Sequence, residues 1–181
     1  MGPAVVLVGC RVEEGPVGIG KRILQFVRGL FLPSGAPSWP FLHAESRKRI
    51  QRAISSAEQG SAGEICVHVA SRISRRGLEA DAKELFYRLE LHRTPERQAV
   101  LVYLVPARRK LFVFGDEGIH QKCQGALWPM LVDELVKGFK TEAPLDALEK
   151  VIERLGEAQR QWFPLKEGLR TNRLPDEPSE G

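Results

Sequence analysis

Ala99-Val100-Leu101-Val102-Tyr103-Leu104-Val105-Pro106-Ala107-Arg108-Arg109-Lys110-Leu111-Phe112-Val113-Phe114 is the stretch that decides the fold. Its first seven residues are apolar almost throughout and lack the polar alternation of a half-buried strand. Such a run is a central strand covered on both faces. Pro106 stops it, and residues 107–110 make a short polar turn. Residues 111–114 return as a second strand. So short a connection makes the pair an antiparallel hairpin.

Working upstream, Glu64-Ile65-Cys66-Val67-His68-Val69-Ala70 is another strand. Ile65, Val67 and Val69 take one face; Cys66, His68 and Ala70 take the other. Between this strand and the hairpin, residues 81–91 read as a helix with Leu85, Phe86 and Leu89 inward, and 92–97 as a polar turn. A strand–helix–strand unit of this length fits a right-handed parallel crossover, so the sheet is mixed. Ahead of it, residues 44–59 place Ile50, Ala53, Ile54 and Ala57 at helical spacing, with Gly60 to end the helix. Arg47, Lys48, Arg49 and Arg52 lie mostly on its other face, which reads as solvated.

Two helices follow the hairpin. Residues 121–140 carry Leu127, Met130, Leu131, Leu135 and Val136 at helical spacing; residues 145–163 carry Leu148, Val151, Ile152, Leu155 and Trp162. Phe163-Pro164 ends the second. The expected fold class is α/β, with the order α-β-α-β-β-α-α in one domain over residues 41–164. Residues 1–40 are rich in Gly and Pro and have no sustained period. Within them, 21–28 is a candidate for a short basic amphipathic helix on anionic lipid. Gly29 and Pro33 close it quickly, and a poorly ordered extension is the preferred reading. Residues 165–181 are polar and Pro-rich and read as a flexible tail.

The length of 181 residues suits one domain, and the net charge of +4 hints at anionic partners. The aromatic residues are few and sit inside apolar runs, so no nucleic-acid partner is expected. Cys10, Cys66 and Cys123 fit neither a metal pair nor a disulfide framework, as expected of reduced thiols in the cytoplasm. No apolar run approaches the ~20 residues that cross a bilayer, so no transmembrane segment is expected. Leu7-Val8-Gly9-Cys10 faintly resembles a lipoprotein cleavage site, but a basic start and a longer apolar stretch are missing. A cytoplasmic location is therefore expected.

Chemistry, if any, concentrates where the hairpin ends, at Gly115-Asp116-Glu117-Gly118-Ile119-His120. A strand running into a helix start offers unpaired N–H groups and a positive dipole end. Gly115 and Gly118 permit tight backbone there. Such a loop suits an anion such as phosphate, or a cation held by Asp116 and Glu117. Calcium is the candidate cofactor, although two adjacent carboxylates fall short of the about six to eight oxygens that it takes. The plainer reading has Asp116 capping the helix, Glu117 favouring its dipole and the glycines shaping a turn, and it is preferred. Arg97, Arg108 and Arg109 are candidates to clamp an anion, or are simply solvated. Glu64 either faces the same sheet edge as Asp116 or contacts a helix start. His68 could act as a nucleophile or general acid, but a packed histidine is the preferred reading. The chain has no Walker loop, GxSxG or HExxH.

An ordered set of short words carries a family resemblance. They include Arg49-Ile50-Gln51-Arg52-Ala53-Ile54, Gly63-Glu64-Ile65-Cys66-Val67-His68-Val69, Phe86-Tyr87-Arg88-Leu89, Thr94-Pro95-Glu96-Arg97, Val100-Leu101-Val102-Tyr103, the loop 115–120, Trp128, Phe139-Lys140 and Phe163-Pro164. The chain resembles the TPM domain, found in thylakoid-lumen repair proteins, a nematode receptor-associated membrane protein and many bacterial proteins. It is most similar to small bacterial members without a signal peptide. The resemblance implies an α/β/α sandwich with a small mixed sheet. It also implies one of two roles. One is a binding or accessory module with a protein partner in a membrane-protein assembly. The other is an acid-phosphatase-like hydrolase; for that role the residues themselves offer the loop 115–120, with Asp116 and Arg109 as catalytic candidates, Gly115, Gly118, Arg97 and Arg108 as substrate-binding candidates, and Asp116, Glu117 and Glu64 as candidate metal ligands. This sequence departs from its relatives at three places. Arg108 stands where relatives usually carry an acid, Gln98 where they often carry Asn, and Thr141-Glu142-Ala143-Pro144 where glycines are common. The first change weakens the carboxylate-metal reading and favours the accessory role.

Overall fold

The computed structural model describes residues 4–10, 23–30, 43–108, 110–141, 143–165 and 179–180. Strands β1 (Ala4–Cys10) and β2 (Ile23–Leu30) pair antiparallel. Helix α1 (Ala44–Glu58) precedes β3 (Ile65–Val69), and α2 (Leu78–Arg88) leads to β4 (Val100–Val105). A 3-10 turn at Pro106–Arg108 connects β4 to β5 (Lys110–Gly115). Then come α3 (Glu117–Cys123), α4 (Leu127–Lys140), α5 (Pro144–Trp162) and the two-residue β6 (Ser179–Glu180).

The sheet order is β5-β4-β3-β6. β3 and β4 run parallel, with Ile65 opposite Val100 and Val69 opposite Leu104. β4 and β5 form the antiparallel hairpin, with Val100 opposite Gly115 and Val105 opposite Lys110. The sheet is mixed, and helices cover both faces, because side chains alternate along each strand. Ile65, Val67, Val69, Val100, Val102, Leu104, Leu111 and Val113 pack with α1, α3, α4 and α5. Cys66, Ala70, Leu101, Tyr103, Val105, Phe112 and Phe114 pack with α2. This is the α/β/α sandwich, and every residue of β4 is buried, as its unbroken apolar run demands.

Three elements differ from the sequence reading. Of the candidate helix 21–28, the described residues 23–28 lie instead in β2. The helix expected over 121–140 is two helices. It starts earlier, at Glu117, and breaks where Gln124 and Gly125 both take positive φ (48° and 80°). The break lets Trp128, at the start of α4, turn into the core at 2 % exposure. Helix α2 lies three residues before its expected place. Asp81 belongs to its first turn, where its carboxylate accepts the Ser74 N–H at 2.6 Å and the Ser74 hydroxyl. Glu90, in the left-handed region at φ 56°, stops the chain from continuing as helix. At the far end, β6 pairs parallel with β3, Ser179 opposite His68 and Glu180 opposite Val69.

Candidate functional site

The loop leaving β5 lies beside the entry to β4, because Gly115 is opposite Val100. Thr94 to Arg97 form the turn that feeds β4. Arg97 sits in the left-handed region at φ 54°. Its carbonyl accepts the N–H of Gly118 at 2.8 Å and that of Ile119 at 3.3 Å. Its guanidinium grips Asp116 with both arms, Nε to Oδ2 at 2.7 Å and Nη2 to Oδ1 at 2.8 Å. This hydrogen-bonded carboxylate raises the Arg97 pKa above its ordinary value. Asp116 is 4 % exposed, and its Oδ1 also accepts the Glu117 N–H at 2.8 Å, capping α3. The His120 N–H donates to the Asp116 carbonyl at 3.0 Å, and the Asp116 N–H donates to Ala99 at 2.9 Å. All four amide donors that a helix start leaves open are therefore accepted within the fold. A β-carbon at Gly118 would lie 1.9 Å from the Glu96 carbonyl oxygen, so only glycine lets the two backbones meet. At Gly115, a β-carbon would meet the Trp128 ring at 2.1 Å.

Two glutamines brace the same end of the sheet. Gln98 is fully buried; its Oε1 accepts the Glu96 N–H at 2.8 Å and its Nε2 donates to the Ala62 carbonyl at 2.7 Å. Gln159, also fully buried on α5, donates to the carbonyls of Gln98 at 3.2 Å and Glu64 at 3.3 Å. Trp128 Nε1–H donates to His120 Nδ1 at 3.0 Å, so the imidazole is a neutral acceptor, and burial pushes its pKa down. Neither glutamine nor Trp128 stood out as part of a site. Gln159 carried a legible signal: a polar residue four positions after Leu155 on the inward face of α5.

The candidate residues divide by location. Arg97, Gly115, Asp116, Glu117 and Gly118 come together, and Glu64 enters β3 at the same sheet end, its carbonyl accepting the Val100 N–H at 2.9 Å. Arg108 is exposed at the other end of the hairpin. β5 has six residues, so about 20 Å of strand separates Arg108 from Asp116. Arg109 lies outside the described residues. Glu117 accepts from Gln121 at 3.0 Å. His68 is buried mid-strand on the α2 face, stacked on Tyr103 with ring centroids 5.1 Å apart. Burial, helped by the nearby Arg88 charge, lowers its pKa to about 4. Among the described residues, no three His, Cys, Asp or Glu side chains gather as metal ligands. Cys66 and Cys123 are buried, and no described helix is long and apolar enough to cross a membrane.

A family model for the TPM domain matches residues 40–158. This chain belongs to the TPM domain family. The TPM match spans α1 to α5 apart from the last residues of α5. The BA42 protein from the psychrophilic bacterium Bizionia argentinensis is similar, at 30% identity and TM-score 0.71. That similarity covers 78% of this TPM chain and 96% of BA42. The N-terminal domain of the cg2496 protein from Corynebacterium glutamicum shares the fold at 12% identity and TM-score 0.53, covering 78% of this chain and 98% of that one. No curated protein matches the chain.

Proposed function

We propose that this TPM domain is a non-catalytic binding module whose partner is a protein. One observation carries the reading: the loop 115–120 has already committed its polar groups inside the fold. Gly118 and Ile119 donate to Arg97, Glu117 donates to Asp116, and Arg97 is spent on Asp116. A phosphate would have to break the Arg97–Asp116 pair and would meet a buried carboxylate. A calcium ion would have to displace a guanidinium from that carboxylate. The accessory role in a membrane-protein assembly, reached from the cytoplasm, extends this reading on the strength of the family resemblance.

The test is hydrolysis of p-nitrophenyl phosphate by the chain and by Asp116→Asn, with circular dichroism to confirm that the variant folds. The expected result is no turnover that depends on Asp116. Turnover by the chain that the folded variant lacks would overturn the proposal in favour of the hydrolase. Calorimetry with calcium gives a second check: no binding heat at millimolar calcium is expected, and a heat that Asp116→Asn abolishes would restore the metal reading.

A further inference from the structure

The opposite end of the sheet has a different character. The Ala70 N–H donates to the Leu104 carbonyl at 2.8 Å, so the chain leaving β3 and the chain leaving β4 emerge side by side. Residues 70–77 and 106–110 carry Arg72, Arg75, Arg76, Arg108, Arg109 and Lys110 and contain no Asp or Glu. Arg76 pairs with Glu84 on α2. Arg72, Arg75 and Arg108 are exposed and make no ion pair among the described residues. Ser74 is tied to Asp81, which fixes the loop that presents Arg72 and Arg75. The surface is thus a cluster of positive charge on an anchored support, beside the outer edge of β3.

That edge is occupied. Ser179 and Glu180 add to it as a parallel strand, opposite His68 and Val69, and the pairing stops just before the arginine loop. The segment that supplies them reads Leu-Pro-Asp-Glu-Pro-Ser-Glu-Gly over residues 174–181, with three acidic residues, and Glu180, in register with Val69, is the one that β6 brings to the arginine loop. A peptide that adds to a sheet edge gains affinity from backbone hydrogen bonds. Its charge sets which peptide is accepted and how fast it arrives.

We propose that the outer edge of β3 and the arginines at the carboxyl end of the sheet form a docking groove for an acidic, extended segment of a partner protein. The chain's own β6, Ser179–Glu180, holds that edge until the partner displaces it. This deepens the binding-module reading and rests on it. It puts docking at the sheet end remote from the Arg97–Asp116 pair.

The test is fluorescence anisotropy with a labelled peptide of the sequence of residues 174–181, titrated into full-length protein. Ser179→Pro/Glu180→Pro removes both N–H groups of β6 and vacates the edge. This variant is expected to bind the peptide at least tenfold more tightly than the unaltered chain, with amide shifts concentrated at His68, Val69 and Ala70. Adding Arg72→Glu/Arg75→Glu to it is expected to weaken binding at least tenfold, with thermal melting unchanged because both side chains are exposed. Equal binding by the unaltered chain and the proline variant would overturn the self-occupied groove. Binding indifferent to Arg72 and Arg75 would overturn the charge argument. Arginine-dependent binding to phosphatidylserine vesicles without peptide binding would replace the groove with a membrane surface. Asp116-dependent turnover would instead overturn the binding-module reading while leaving the peptide titration to stand or fall alone.

Discussion

Gly118 has no room for even a methyl group, since its β-carbon would press on the Glu96 carbonyl, which is backbone and cannot swing away. Gly118→Ala is expected to cost more than about 2 kcal/mol, read as a lower urea midpoint. The pair next to it has an asymmetry. Asp116 is buried, whereas the Arg97 side chain is 45% exposed. Arg97→Met therefore strands a buried carboxylate, and Asp116→Asn leaves a guanidinium that water can reach. The arginine variant is expected to be the less stable of the two by about 1 kcal/mol or more. Equal urea midpoints would contradict that. Capping by Asp116 was legible in the sequence, because an aspartate before a helix start has a local job. Its bond to Arg97 was not, because the partner lies nineteen positions upstream and reaches it only through a left-handed turn. For the same reason, Arg97 and Arg108 looked alike as loop arginines, though the fold sends them to opposite ends of a strand.

At the scale of elements, the hairpin and the parallel pair were legible from patterning, because a buried strand must be apolar and a two-faced strand must alternate. The division of α3 from α4 was less so. Gln124 is not a residue that announces a left-handed conformation, and the apolar spacing of α4 runs on from that of α3 without a proline between. Helix α5 carries a glycine that looks like a propensity defect. A β-carbon at Gly156 would stand 2.7 Å from the Ala57 backbone, so it marks a close approach of α1 and α5. Gly156→Ala would add up to about 1 kcal/mol of intrinsic helix propensity. The overpacking it forces costs about 1–3 kcal/mol, because the contact is with backbone and the helices must separate. The net expectation is destabilisation, seen as a lower melting temperature; a higher one would show that α1 yields.

For the whole molecule, acid sensitivity follows from His68. In the unfolded chain a histidine titrates near 6.5, and in the fold His68 titrates at about 4. Between these values the unfolded state binds the extra proton, so stability holds above about pH 6.5 and falls as pH drops toward 4. The slope reaches about 1.4 kcal/mol per pH unit for this one group. Buried His120, whose pKa is also lowered, acts in the same direction. Urea midpoints at pH 7, 5.5 and 4.5 should decline, and His68→Gln should flatten the decline; an unchanged slope in that variant would clear His68 of the effect. The domain's layered plan was readable in advance, but the charge split between its two sheet ends was not. That split needs the parallel register, which brings the arginines after β3 beside those after β4.

The indole of Trp128, hydrogen-bonded to the His120 imidazole at 3.0 Å, also has an optical consequence. An imidazolium beside an indole quenches its fluorescence efficiently, whereas a neutral, hydrogen-bonded imidazole does so much less. The ring is sealed in the core against Gly115, so its emission is blue and shielded from dissolved quenchers while the loop is closed. Any event that loosens α4 from the end of β5, whether a proton on His120 or a variant at Gly118, changes its colour or brightness. The fold carries an intrinsic lamp at the junction of β5, α3 and α4.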